Sequence, residues 1–146
     1  MVLENARKSL EPLVVTLLRL STGLIMAMHG WGKLADIPKT VEMFTGMGMP
    51  HADLMVYLAI AGEFLGGLGL LIGFLTPVAA FGIMCVMATA ILKVHLHNGL
   101  MMQNQGFEYP LTLFFVALFF AIRGAGPFSV DQLCCKHCHK GDSTEI

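Results

Sequence analysis

"PLVVTLLRLSTGLIMAMHGWG", residues 12–32, decides the fold. It is long enough to cross the ~30 Å hydrocarbon core of a bilayer as a helix, and it lacks the alternation of a barrel strand. Yet Arg19 sits in its interior, His29 and Trp31 close it, and Lys33 comes directly after. A cation in an apolar run asks for a partner, because an uncompensated charge in hydrocarbon is costly.

The rest of the chain has the same character. Of 146 residues, 55% are hydrophobic and only 13% charged, too apolar a balance for an ordinary soluble domain. Further windows of spanning length lie at about 54–75, 77–96 and 109–123, the last one short. Lipid leaves an unpaired backbone unsatisfied, so the spans are expected to be helices. The predicted fold is all-α, an integral membrane four-helix bundle over residues 1–132, followed by a tail, 133–146. Pro12 suits a helix start, "GFLTP" (73–77) a tight link, and Pro110 the first turn of span four. "KTVEMF" (39–44) is expected to form a short interfacial helix before "TGMGMP" breaks it.

Arg7 and Lys8 precede span one but do not make it a signal peptide, since Arg19 interrupts the apolar run and no small-x-small site comes after it. With Arg123, Lys136 and Lys140 they place both termini in the cytoplasm, the chain being multi-pass in the inner membrane. The lipid bilayer is its surroundings, and nothing in the composition asks for nucleic acid.

Depth sorts the polar residues. At ~1.5 Å per residue, His29 and Lys33 end near the outer interface and Glu63 lies ~13 Å below it. Span three returns Lys93, His95 and His97 to that level, and the next loop adds Glu108. Arg19, Met26 and Lys33 share one face of span one; Val86, Ala90, Lys93 and His97 share one of span three. Gly62, Gly66, Gly69 and Gly73 make a small-residue stripe for close helix approach. Glu63 needs a counter-charge, and depth nominates Arg19 first and Lys93 second. Glu63, Arg19 and Lys93 are thus the candidate reactive groups; His29, Lys33, His95, His97 and Glu108 are the candidate ligand contacts. Snorkelling of the outer cations to the headgroups is the plain alternative.

"LLRLSTGLIMAMHGWGKL" (17–34), "GEFLGGLGLLIGFLTP" (62–77), "NQGFEYPL" (104–111) and "RGAGPFSVD" (123–131) resemble the DoxX family of small four-span membrane proteins, over nearly the whole chain to about Gln132. Arg19, His29, Lys33, Glu63, Lys93 and Glu108 match the family's polar pattern. The resemblance implies the fold and an association with quinone-linked or thiol redox systems, as subunit or accessory of a membrane oxidoreductase; it implies no single activity.

Two features depart from that resemblance. The tail "CCKHCHK" (134–140) holds every cysteine except Cys85, and Ser129 with Gln132 forms a capping-box pattern just before it. On a helix there, Cys134 and Cys138 share one stripe and Cys135 and His139 the next, with His137 between, a soft donor set for copper or zinc. In addition, eight of the 11 methionines (Met26, Met28, Met43, Met47, Met49, Met55, Met101 and Met102) fall toward the outside, beside His29, His51, His95 and His97. Three functional expectations result. The first is a redox role, with a quinone headgroup in an outer polar pocket and an oxidoreductase partner. The others are copper or other soft-metal handling, and a structural scaffold for a partner enzyme. A homo-oligomer is compatible with each.

Overall fold

The computed structural model describes residues 2–134 and, among those, contains helices and turns and no strand. Helix α1 (Val2–Ala35) leads to a short α2 (Ile37–Gly46), then α3 (Ala52–Ile72), α4 (Thr76–Asn98) and α5 (Glu108–Arg123). Three of these, α1, α3 and α4, are long and apolar enough to cross a membrane. The 16 residues of α5 reach ~24 Å, short of the hydrocarbon core by several ångströms.

Pro12 does not open α1, contrary to the sequence expectation, but lies inside it. The helix continues N-terminally because a proline there forfeits one backbone bond, while residues 3–11 find other support: Lys8 pairs with Glu4 one turn away, and Glu11 with Arg123 at the end of α5. The short helix expected at "KTVEMF" is present as α2 and is longer than that stretch. Asp36 caps it by accepting from the Lys39 N–H at 3.1 Å, and Pro38 occupies the first turn. The link from α3 to α4 is as tight as "GFLTP" implies: Gly73 and Leu75 both take left-handed conformations.

Helix α1 packs against α3, α3 against α4, and α4 against α5. The core joins Val15 and Met26 of α1 to Leu70, Ile83, Leu113 and Phe120 of the others. Outward-facing leucines such as Leu13, Leu17 and Leu24 stay exposed, as a lipid-facing surface requires. The small residues act at both faces of α3. A Cβ on Gly67 would come within 2.3 Å of the Ala27 nitrogen, so α1 and α3 touch backbone to backbone. One on Gly62 would meet Val86 Cγ2 at 2.3 Å, so the Gly62 face of the stripe serves the contact with α4.

Neither α3 nor α4 is regular throughout. Each contains one π-helical turn, Ala61–Leu65 and Ile91–His95, where the wider i→i+5 spacing inserts a residue and rotates the next turns of the helix about its axis.

Candidate functional site

Glu63 lies within the first π turn, ~16 Å along α3 from Ala52 and so near the middle of that helix. It is 5% exposed. Its Oε2 accepts a hydrogen bond from Lys33 Nζ in an ion pair, with the lysine stem laid along the α1–α3 seam. Neither Arg19 nor Lys93 is the partner. Lys33 wins because a four-carbon stem reaches down from the end of α1 to a carboxylate that the π turn faces toward that helix.

On its other side Glu63 opens to a long groove between α3 and α4, with a volume of about 760 Å3. The groove runs from Phe44 and Met49 at the Lys33 end to Phe74 and Leu75 at the Arg19 end, and its lining is apolar almost throughout. Cys85, an exposed free thiol, and Thr89 are its few other polar neighbours. The expected face of α4 changes here. Val86 and Ala90 line the groove, but Val94 succeeds them in place of Lys93, because the second π turn displaces the register by one residue. Lys93 and His97 are exposed and stand outside the groove lining.

The remaining outer candidates are not gathered around Glu63. His29 sets its ring beside Tyr109 of α5, centroids 6.2 Å apart. His95 Nδ1 donates to the Gln105 carbonyl at 2.6 Å, and Glu108 Oε1 accepts from the Met102 N–H at 2.6 Å. These last two order the loop between α4 and α5. Of the expected outer polar residues, Glu63 alone is among those that line the groove. Trp31, 53% exposed, packs beside Phe64 with ring centroids 5.8 Å apart.

Arg19 belongs to a second buried group at the opposite end of the bundle. It is 1% exposed, and its Nη2 donates to the Phe128 carbonyl at 2.8 Å. The nearby Asp131 carboxylate accepts from the Leu75 N–H at 2.7 Å and the Thr76 N–H at 2.9 Å, at the start of α4. Burial pushes the Asp131 carboxyl up, but the Thr76 and Leu75 amides and the Arg19 charge outweigh it and hold the group below the ordinary carboxylate range. The Thr76 hydroxyl lies beside that carboxylate without meeting hydrogen-bond geometry. Sequence reasoning missed this group because its members are far apart in the chain and the signal lay in "RGAGPFSVD", whose polar residues carry no sign of a distant partner.

Cys135, His137, Cys138 and His139 lie outside the described residues; Cys134 is exposed with a free thiol. Ser129 caps residues 130–134 as the capping-box pattern implies, accepting from the Gln132 N–H at 3.3 Å. Among the described residues no three His, Cys, Asp or Glu side chains are placed to share a metal ion. The outward methionines, Met28, Met43, Met47, Met101 and Met102 among them, are mostly exposed and scattered.

The sequence profile of the DoxX family matches residues 14–96. The inner membrane protein YqjF of Escherichia coli (strain K12) is 34% identical over 130 residues, covering 88% of this chain and 98% of its own. CatD of Bacillus subtilis (strain 168), which carries the name of a candidate oxidoreductase, is 29% identical over 126 residues, covering 86% of this chain and 90% of its own. No solved structure matches the chain.

Proposed function

The chain belongs to the DoxX family of membrane proteins, and from that premise we propose that it binds a lipid-soluble quinone-type carrier for a partner oxidoreductase, in the groove between α3 and α4. The observation that carries the reading is Glu63: one buried, ion-paired carboxylate in the wall of an otherwise apolar, membrane-height groove. A phospholipid fits it poorly, because its phosphate would bring a second negative charge against the Glu63 carboxylate. An uncharged ring with carbonyl or hydroxyl groups and an apolar tail fits both parts of the groove. Such a carrier supplies two-electron, two-proton chemistry when bound.

The protein's own groups then have distinct tasks. Glu63 offers Oε1 to a ring hydroxyl while Oε2 stays with Lys33. Lys33 supplies the counter-charge to the Glu63 carboxylate and, being partly exposed, connects it to the water at its end of the bundle. The apolar walls exclude water and align the tail. Four spans with α5 as the last, both termini in the cytoplasm and Lys33 toward the outside complete the reading. The name of the Bacillus subtilis relative agrees with a redox association.

Cys85 provides the test, since its thiol lines the same groove. In the detergent-purified full chain, an alkylated benzoquinone analogue that does not itself react with thiols is expected to slow maleimide labelling of Cys85 at least about fivefold, while leaving Cys134 unaffected. Equal labelling with and without the analogue would overturn the assignment.

A further inference from the structure

We infer that Asp131 is a positioning residue that couples the chain segment after α5 to the Arg19 end of the groove, a role that rests on the groove being the binding site. One carboxylate holds Leu75, the residue before α4, and Thr76, its first residue: Oδ1 takes the Leu75 N–H and Oδ2 the Thr76 N–H. Leu75 and its neighbour Phe74 line the groove. The Asp131 N–H in turn donates to the Gly73 carbonyl at 2.8 Å, so residues 73–76 and 128–131 are clasped from both sides.

Arg19 forms the back of the clasp. Its Nη1 occupies the space that a Cβ at Gly73 would need, only 1.9 Å away, and Gly73 has φ +69°, which favours glycine twice over. Among the described residues Nε and Nη1 have no hydrogen-bond partner, and they lie out of contact with solvent; Asp131 is the negative charge acting on this buried cation from nearby. Leu75 (φ 47°) and Phe128 (φ 59°) are both held in the left-handed region that β-carbon residues avoid. Strained backbone on both sides of a buried cation marks a junction that the surrounding contacts hold in place. Pulling the 128–134 segment away withdraws the carboxylate, frees Leu75 to relax, and alters the groove's inner end; filling the groove acts in reverse.

Hydrogen exchange of the full chain in lipid nanodiscs tests this. Without ligand, Asp131→Asn is expected to raise exchange at residues 73–79 and at 128–134 together, about tenfold or more, because the amide removes the charge opposite Arg19 and turns one donor toward a backbone N–H. Acceleration in neither region, or in one alone, would overturn the coupling. Should this variant lose its helical circular dichroism, Phe128→Gly replaces it: it keeps the carbonyl that Arg19 uses, relieves the strain, and is expected to slow exchange in both regions. Unchanged or faster exchange there would also overturn it. With the quinone analogue added, the wild type should gain protection in both regions and Asp131→Asn only at 73–79. Analogue protection confined to 73–79 in the wild type contradicts the coupling. Absence of any binding, with the ligand-free result as expected, refutes the groove reading and leaves the clasp standing.

Discussion

Lys33 is long enough to meet Glu63 without leaving the end of α1, and the energetics of that reach can be measured. Lys33→Met leaves a carboxylate that is 5% exposed with no counter-charge, and should destabilise the protein by about 3 kcal/mol, the low end for a broken buried pair because Lys33 itself keeps some contact with water. Lys33→Met with Glu63→Leu should recover most of that loss in the same denaturation assay. Arg19→Met should cost a comparable amount that Glu63→Leu does not restore, since Arg19 serves Phe128 and Asp131. Asp131 makes a pH prediction. Its folded-state carboxyl lies below the usual value of 3.8, so its contribution is complete above that value and is lost as pH falls through the lower, folded one. Wild-type thermal stability should therefore drop below pH ~3.8 by more than that of Asp131→Asn, whose difference from wild type should shrink toward zero.

Helix contacts and π turns make up the next scale. Gly67 has no room for a methyl group against the α1 backbone, whereas Gly32 faces open space. Gly67→Ala should lower stability by about 2–3 kcal/mol and Gly32→Ala should leave it unchanged or slightly raised, read by thermal unfolding in one detergent. The helices themselves were legible from apolar run length, and so were the short α2 and the tight link, because proline, glycine and aspartate act locally there. The π turns were not. A single inserted residue leaves no mark on composition or hydropathy, yet it moves Val94 into the place that α-helical spacing gave to Lys93. The same limit explains Arg19: calculated depth brought it near Glu63, but depth along an axis carries no information on which neighbour a side chain faces. Glu63 is buried and ion-paired, and it stood out in the sequence because a carboxylate in an apolar helix is costly whatever its partner.

For the whole molecule, the parts form a row of packed helices with the Lys33–Glu63 ion pair toward one end, buried Arg19 toward the other, and an apolar groove running between their levels. Reporter fusions at Met49 and after Cys134 are expected on opposite sides of the membrane, with the Met49 fusion outside; the same side for both would remove α5 as a span and the proposed orientation with it. Equilibrium titration of the purified full chain with an alkylated benzoquinone is the most direct measurement of the central claim. Saturable binding is expected, weakened at least about tenfold by Glu63→Gln and unaltered by Lys93→Gln, whose side chain stands outside the groove. Binding that Glu63→Gln leaves intact, or no saturable binding at all, would contradict it.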